Sequence, residues 1–319
     1  MQFCVGEINI FRLQNTKMLF PANDVINQQL HDDLFHEKQV HLSVLRLDAI
    51  HPVVSGNKLF KLHYFLQTAI QQSYEGIVTF GGPYSNHLVA TAFACKTSGL
   101  KCTGIIRGEQ PAFLSHTITK CCNDYGMVVK FIPRNQYDER EQPFFIKDLK
   151  LEYPNCLIVP DGGYHPMGAA GAALIMDLIN EDATHVCCAV GTATTLAGLM
   201  LGKKDNQQII AIPVLKNMHD LQNRIEYLTN CKYSGQHLQT MPDYHFGGYA
   251  KKNKELIDSM NQLYEKYRLP TDFVYTGKLM YGIIDSIKNG SFPKGSKIVC
   301  VHTGGLQGNL SLPPGTLVF

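Results

Sequence analysis

Short apolar runs alternate with amphipathic segments along most of this chain, and this alternation limits the folds that it can adopt. The apolar runs have the length and composition of buried strands, and they cover residues 40–47, 76–80, 102–106, 127–132, 156–160, 185–190, 207–214 and 297–302. Segments with a helical spacing of apolar residues follow most of them. Such a chain forms parallel sheets that are covered by helices. The pattern therefore predicts an α/β fold.

The length of the chain, 319 residues, favours two lobes over a single one. No linker rich in Pro, Gly or Ser divides the sequence, so the lobes are expected to pack closely. Residues 1–40 and 215–250 have no regular periodicity, and no definite elements are predicted there.

The charge and hydropathy of the chain exclude several classes of protein. The formal net charge is +2 and there is no basic run, which argues against a nucleic-acid partner. No apolar stretch is long enough to cross a bilayer, and residues 1–17 lack the apolar core of a signal peptide. We therefore expect a cytoplasmic protein with neither a nucleic-acid partner nor a membrane partner.

The ten cysteines and thirteen histidines of the chain do not have the spacing of metal ligands. CxxC and HExxH motifs are both absent, so no metal site is predicted. Cys187 and Cys188 lie in an apolar run and are expected to fill the core. Without a signal peptide, the cysteines are expected to be reduced thiols, as in cytosolic proteins.

Loops rich in glycine and in polar side chains follow four of the predicted strands, at residues 81–86, 161–168, 191–198 and 302–305. Parallel α/β sheets bind their ligands at the carboxyl ends of the strands. The four loops therefore predict one ligand site at these strand ends.

The loop after the 185–190 strand has the composition of a phosphate site. Gly191 permits a tight turn, and Thr192, Ala193, Thr194 and Thr195 follow it at a predicted helix start. Consecutive N–H groups and hydroxyls at a helix N-terminus bind phosphate. The loop matches neither the GK[ST] nor the GxGxxG motif. The alternative is a plain turn in which a threonine caps the helix.

Lys58 follows a short Ser-Gly-Asn turn and stands at the start of a helical pattern. The positive end of a helix dipole disfavours a cation, so the pKa of this amine should be lowered, as it would be by burial. An amine of this kind is suited to forming a Schiff base. The alternative is an ordinary solvated lysine. Ser85 and Asn86 also begin a predicted helix, where they could serve as caps alone.

Five segments of the chain resemble the pyridoxal-phosphate enzymes of fold type II, in order and in spacing. They read SGNKLFKL, GGPYSN, GTATTLAG, VYTGKLMYG and HTGG. Within that group the chain is similar to the 1-aminocyclopropane-1-carboxylate deaminase / D-cysteine desulfhydrase family, from about Leu42 to Gly305. The resemblance implies pyridoxal 5′-phosphate as cofactor, a homodimer, and a two-lobed fold like that of the tryptophan synthase β subunit. Its large lobe would be residues 1–68 and 167–319, with residues 69–166 inserted as a small lobe.

The resemblance also implies roles for single residues. Lys58 matches the lysine that holds the cofactor covalently and later acts as a base. Asn86 matches an asparagine that binds the phenolic oxygen of the cofactor, and Ser85 a serine beside the substrate carboxylate or the α-carbon proton. Tyr249 and Tyr275 match two tyrosines that face the substrate. The phosphate cup would consist of Gly191, Thr192, Ala193, Thr194 and Thr195.

Two threonines favour one activity of that family over the other. Thr276 stands where the deaminases carry a glutamate against the pyridine nitrogen, and Thr303 where they carry a leucine. A neutral hydroxyl keeps that nitrogen protonated less well than a carboxylate. Both residues are taken as cofactor-binding candidates. They favour β-elimination from a small D-amino acid, with D-cysteine giving pyruvate, ammonia and sulfide.

Several positions depart from the family pattern and leave other reactions open. Ser55 and Phe60 stand where the family usually has glycine and arginine, and His87 where the deaminases have glutamine. The alternatives are 1-aminocyclopropane-1-carboxylate deamination and D-serine dehydration or racemisation. A nicotinamide-dependent oxidoreductase is an alternative of a different class. It would need a GxGxxG loop after a strand, which is absent.

Overall fold

Ten strands form two sheets in the computed structural model, which describes residues 25–233 and 237–319. The strands are Asn27–Leu30 (β1), His41–Arg46 (β2), Gly76–Gly81 (β3), Lys101–Arg107 (β4), Val128–Ile132 (β5), Cys156–Val159 (β6), His185–Val190 (β7), Gln208–Pro213 (β8), Leu238–Thr240 (β9) and Lys297–His302 (β10). All eight strands predicted from apolar runs are present.

Helices connect most of these strands. They are Asp33–Glu37 (α1), Asn57–Gln71 (α2), Asn86–Thr97 (α3), His116–Asn123 (α4), Arg134–Asp138 (α5), Pro143–Glu152 (α6), Pro166–Ala173 (α7), Thr194–Gly202 (α8), Leu221–Thr229 (α9), Lys254–Tyr267 (α10) and Thr276–Lys288 (α11). A 3₁₀ segment, Leu174–Leu178, continues α7.

The larger sheet has the strand order β1-β2-β10-β7-β8-β9. The β1–β2 pair is antiparallel and the other pairs are parallel. All six residues of β7 are buried, because a central strand of a parallel sheet is covered on both faces. This explains why β7 is a continuous apolar run. Cys187 and Cys188 lie in it with no exposed surface, as expected for core residues.

The smaller sheet has the order β5-β4-β3-β6, and all its pairs are parallel. Its strands come from the chain between Gly76 and Val159. The predicted α/β fold with two helix-covered parallel sheets is therefore confirmed. The lobe boundaries at residues 69 and 166 stay a prediction.

Glycines allow the helices beneath the larger sheet to pack backbone against backbone. A Cβ atom on Gly171 of α7 would lie 2.1 Å from the carbonyl oxygen of Phe60 in α2. A Cβ atom on Gly198 of α8 would lie 2.5 Å from Cβ of Ala172. Neither site has room for a larger residue, so these glycines hold α2, α7 and α8 close together. This packing brings the first turn of α2 close to the first turn of α8.

Two expectations from the sequence need correction. Among the described cysteines, eight are free thiols, but Cys231 is disulfide-bonded, so not every cysteine is reduced. Regular elements also occur where none was predicted. The stretches 1–40 and 215–250 contain β1, α1, α9 and β9, while α5 follows β5 and α11 lies within the VYTGKLMYG segment. In the described part of the chain, no helix combines the length and apolar character needed to cross a membrane.

Candidate active site

A cavity of about 610 Å³ lies where the carboxyl ends of β3, β6, β7 and β10 meet. Residues from all four predicted loops line it, which confirms that these loops come together. The predicted site residues that line it are Lys58, Ser85, Asn86, Gly191, Thr192, Ala193, Thr194, Thr195, Tyr249, Tyr275 and Thr303. Thr276 is the one predicted site residue that does not line it.

Lys58 is the second residue of α2, and its position depends on Gly56. Gly56 has φ +68°, and a Cβ atom there would lie 2.1 Å from the carbonyl oxygen of Thr303. Only glycine permits this approach, which sets the start of α2 against the loop after β10. The Lys58 amine donates a hydrogen bond to Oδ1 of Asn57 over 2.7 Å. Lys58 therefore belongs to the cavity wall rather than to the outer surface.

Burial lowers the pKa of Lys58 to about 8, and the Asp272 and Asp161 carboxylates oppose this shift. The direction agrees with the expectation from the sequence, and burial is the largest cause. At neutral pH a useful fraction of this amine is unprotonated and can act as a nucleophile.

Lys61 is a second buried lysine that sequence reasoning missed. It lies one turn after Lys58 on the same helix and also lines the cavity. Its amine donates to the carbonyl oxygen of Gly162 over 3.1 Å. Burial and the nearby Lys58 amine hold the pKa of Lys61 well below its usual value. The spacing of three residues, which places both lysines on one helix face, was the available signal.

The loop before α8 leaves the first turn of that helix open. Ala193 takes the N-cap position with φ +69°, and no side chain caps the helix. The two hydroxyls of Thr192 and Thr194 bond to each other over 2.9 Å. The predicted alternative, a plain turn with a threonine cap, is therefore wrong. Uncapped N–H groups after a left-handed residue form a concave anion site, with the amine of Lys61 on the same cavity wall.

His87 in the first turn of α3 has a fixed tautomer. The hydroxyl of Thr79 donates to the carbonyl oxygen of Val159 over 2.9 Å, so it must accept the bond from Nε2 of His87, also at 2.9 Å. Nδ1 is then a bare acceptor, and it is buried without a hydrogen-bond partner. Burial lowers the pKa of His87 to about 3, helped by the nearby amines of Lys58 and Lys61. The ring is therefore neutral at physiological pH.

Asp272 is a buried carboxylate of the cavity wall that sequence reasoning missed. It accepts hydrogen bonds of 2.9 Å from the N–H groups of Val274, Tyr275 and Thr276. The Thr276 hydroxyl donates to Oδ1 of Asp272 over 2.7 Å and accepts from the Asp272 N–H group over 2.8 Å. Burial raises the pKa of Asp272, and these hydrogen bonds oppose the shift.

Thr276 therefore lies behind Asp272 in the structure. Its side chain has no exposed surface, it does not line the cavity, and its hydroxyl bonds to Asp272. A direct contact of Thr276 with the cofactor stays a prediction. The sequence indicates that the Thr276 hydroxyl replaces the carboxylate that the deaminases have in this site. The structure changes this interpretation. Two aspartates, Asp272 and Asp161, line this cavity, and Asp272 is the one that holds Thr276.

The two predicted tyrosines lie together. Their rings are 6.1 Å apart and edge to face, at 72°. Burial raises the pKa of the Tyr275 phenol well above its usual value, and Tyr249 adds to the shift. A Cβ atom on Gly191 would lie 3.1 Å from Cε1 of Tyr275, so this glycine makes room for the ring. Tyr275 is therefore a neutral phenol and a proton donor.

The small sheet contributes a charged rim. The Tyr137 hydroxyl donates to Oδ2 of Asp161 over 2.9 Å. The guanidinium groups of Arg140 and Arg107 lie 4.6 Å and 5.9 Å from the Tyr137 ring centre. All four side chains belong to residues that line the cavity.

The chemistry of these donors fits a group that carries both a phosphate and an aldehyde. The open N-terminus of α8 and Lys61 can hold the phosphate, and the Lys58 amine can bind the aldehyde covalently. The described residues include no cluster of three potential metal ligands. The cavity is therefore suited to pyridoxal phosphate.

Comparison with known proteins supports this reading. The sequence profile of a family described as "Pyridoxal-phosphate dependent enzyme" matches residues 30–304. A D-cysteine desulfhydrase from Klebsiella pneumoniae is 27% identical, over 82% of this chain and 86% of that protein. A Pyrococcus horikoshii protein, provisionally named as a 1-aminocyclopropane-1-carboxylate deaminase, is 28% identical over 80% of this chain and 81% of its own.

The fold also has counterparts among solved structures. The crystal structure of a homologue of 1-aminocyclopropane-1-carboxylate deaminase superposes with a TM-score of 0.77 at 24% identity. It covers 95% of this chain and 96% of that one. At this level of identity the match shows a shared fold.

Proposed function

Because this chain belongs to the family of pyridoxal-phosphate dependent enzymes, we propose that it is a lyase that eliminates the β-substituent of a small D-amino acid. D-cysteine and water then give pyruvate, ammonia and sulfide. The observation that carries this proposal is one cavity in which the amine of Lys58 and the uncapped start of α8 both lie. The relative named D-cysteine desulfhydrase supports the choice of substrate.

Several residues would hold the cofactor. The Lys58 amine binds its aldehyde, while Lys61 and the first N–H groups of α8 bind its phosphate. Asn86 lies near Asp272, because both side chains come within 3.5 Å of an ideal Cβ on Gly305. We assign the Asn86 amide to the phenolic oxygen of the cofactor. When bound, pyridoxal phosphate supplies an electron sink that stabilises negative charge on the α-carbon of an amino acid.

The start of α3 would hold the substrate carboxylate. Ser85 is its N-cap residue, and its hydroxyl accepts from the N–H group of Leu88 over 3.4 Å, a long bond. The Ser85 hydroxyl proton and the N–H groups of this first turn can face an anion. The neutral ring of His87 in the same turn adds no charge to the site.

The proton steps are assigned to Lys58 and Tyr275. The free amine of Lys58, with a pKa near 8, would accept the proton from the α-carbon of the substrate at neutral pH. The Tyr275 phenol has a raised pKa, so it keeps its proton and can donate it to the leaving thiolate. Tyr249, packed on Tyr275, orients that phenol.

A second candidate reaction is the deamination of 1-aminocyclopropane-1-carboxylate, which gives 2-oxobutyrate and ammonia. The Asp272 carboxylate in the cavity favours it, since a carboxylate can keep a pyridine nitrogen protonated. A relative from Arabidopsis thaliana, 26% identical, is named as bifunctional for these two reactions. Thr303 lines the cavity. It supports the elimination reaction, because the family resemblance places a leucine at this position in the deaminases.

The test is product release by the purified, cofactor-loaded protein. D-cysteine, L-cysteine and 1-aminocyclopropane-1-carboxylate are compared, with Lys58→Ala as the inactive variant and the exposed Lys147→Ala as its control. Sulfide from D-cysteine alone, lost in Lys58→Ala and kept in Lys147→Ala, is the expected result. Formation of 2-oxobutyrate without sulfide would establish the second reaction. Release of neither product by protein that carries the cofactor would overturn both assignments.

We further propose a cytoplasmic homodimer. Eight of the nine described cysteines are free thiols, and Cys231 is disulfide-bonded, so the majority of free thiols supports a reducing compartment. The dimer follows from the family resemblance. Light scattering should give a mass of twice the 35.7 kDa of one chain. A mass of one chain at micromolar concentration would contradict the dimer.

A further inference from the structure

Lys278 in the first turn of α11 is a buried amine that none of the proposed steps uses. It has no exposed surface and does not line the cavity. Its ammonium group donates to the carbonyl oxygen of His245 over 2.8 Å and to that of Gly248 over 2.7 Å. Two carbonyl groups of one loop therefore converge on this side chain.

The burial of this amine is not explained by a salt bridge. Lys278 forms no ion pair within the described part of the chain. Burial lowers its pKa to about 8, and the Asp272 charge opposes the shift. Removing an ammonium group from water is unfavourable unless its hydrogen bonds compensate. An apolar side chain would fill the same space without this unfavourable contribution. What the lysine adds is its pair of hydrogen bonds to the loop.

The loop has an unusual backbone. Phe246, Gly247, Gly248 and Ala250 all have left-handed φ values, of 53°, 90°, 116° and 54°. For residues other than glycine this conformation is unfavourable. The carbonyl oxygens of His245 and Gly248 also accept the two backbone bonds that close the turns of this loop, at 3.0 Å and 3.1 Å. Lys278 therefore binds both turns where they close.

Tyr249 is the second residue of the later turn, which runs from Gly248 to Lys251. Its ring packs edge to face on that of Tyr275, at 6.1 Å. Tyr275 immediately precedes α11, three residues before Lys278. The start of α11 thus fixes both tyrosines. It holds Tyr275 through the peptide chain, and it holds the loop of Tyr249 through the hydrogen bonds of the Lys278 ammonium group.

We propose that Lys278 is a positioning residue that holds Tyr249 in place at the cavity and against Tyr275. This inference rests on the proposed function in one respect, namely that Tyr249 orients the proton-donating phenol. The hydrogen bonds of Lys278 to the loop do not depend on which substrate is turned over.

The test combines Lys278→Met, Lys278→Arg and Tyr249→Ala in the cofactor-loaded protein. Lys278→Met should lower kcat/KM for D-cysteine about 100-fold, since a shift of about 1 Å in an active-site group has an effect of this size. Lys278→Arg keeps the charge and the donors and should restore part of the activity. In the Tyr249→Ala background, which has no ring to position, Lys278→Met should add little. The same substitution at an exposed site of the loop, Lys251→Met, is the control.

Hydrogen exchange over residues 242–251 provides a readout that needs no substrate. Lys278→Met should speed exchange in that segment while the cofactor absorbance stays unchanged, and Lys251→Met should leave exchange as it is. If Lys278→Met does not fold, Gly248→Ala perturbs the loop from its other side and should speed exchange as well, because φ +116° disfavours a Cβ atom.

The proposal is overturned if loop exchange is unchanged in Lys278→Met, or if the losses from Lys278→Met and Tyr249→Ala are independent and multiply. Should the wild-type protein be inactive on every substrate tried, the proposed function fails, and the exchange result still decides the role of Lys278.

Discussion

The side-chain amide of Asn57 donates a hydrogen bond to Oγ1 of Thr195 over 2.7 Å, between buried residues that are 138 positions apart in the chain. Asn57 begins α2 and precedes Lys58, while Thr195 lies in the first turn of α8. One bond therefore ties the covalent end of the proposed cofactor site to its phosphate end. The other polar atom of the Asn57 side chain, Oδ1, accepts from the Lys58 amine.

Thr195→Val should loosen this link. The substitution keeps the shape of the side chain but leaves the buried Asn57 amide without its acceptor, which is unfavourable by about 1–3 kcal/mol. We expect urea unfolding to show a loss of this size and pyridoxal phosphate titration to show roughly tenfold weaker binding. Thr97→Val is the control, because the Thr97 hydroxyl bonds only to its own helix at an exposed position. Unchanged cofactor affinity in Thr195→Val would contradict the link.

The capture of pyridoxal phosphate by cofactor-free protein should depend on pH through Lys58. With a pKa of about 8, only about a tenth of the amine is unprotonated at pH 7. Because only the free amine attacks an aldehyde, the capture rate should rise about tenfold from pH 7 to pH 9 and then level off. Stopped-flow absorbance measures the rate. A rate that keeps rising to pH 10 would show an ordinary lysine in place of a buried one.

Lys61→Met should weaken binding of the cofactor phosphate and leave binding of the rest of the cofactor unchanged. The variant loses the buried amine of Lys61, a hydrogen-bond donor of the proposed phosphate site, so its affinity for pyridoxal phosphate should fall at least tenfold. Its affinity for pyridoxal, which lacks the phosphate, should stay nearly the same. Titrations with both compounds test this difference. An equal loss for both would mean that Lys61 acts on Lys58 and not on the phosphate.

His87 should make the fold sensitive to acid. Its pKa is about 3 in the folded protein and about 6.5 when unfolded. Above pH 6.5 neither state binds the proton, so His87 has no effect on stability there. Below it the unfolded state is protonated first, and the free energy of unfolding falls by about 1.4 kcal/mol per pH unit.

The His87→Leu variant should therefore lose less stability than the wild type between pH 7 and pH 5, by about 2 kcal/mol. Urea unfolding at the two pH values measures it. Equal losses in both proteins would show that His87 titrates normally in the fold.

The sequence by itself determined eight of the ten strands, all but β1 and β9, and the loops at the ends of four of them. Buried parallel strands are continuous apolar runs, and glycine and hydroxyl residues mark the turns that follow them, so these features are readable locally. Ser85 was found for this reason, and Lys58 from the turn before a helical pattern. Tyr275 was found only through the family resemblance, which also supplied the roles of all three residues. The α11 helix is not predicted, because its apolar residues, such as Leu279, lie in the VYTGKLMYG segment, which is interpreted only as a family motif.

Only the tertiary structure decided how distant residues meet. Thr276 turns to Asp272 because a buried carboxylate satisfies its hydroxyl, and no local pattern shows which way a side chain points. Lys61 and Lys278 have the sequence appearance of surface lysines. The packing of α2 on α7 and the loop carbonyls opposite α11 make them buried amines, since burial and hydrogen bonding depend on neighbours that the chain brings together only on folding.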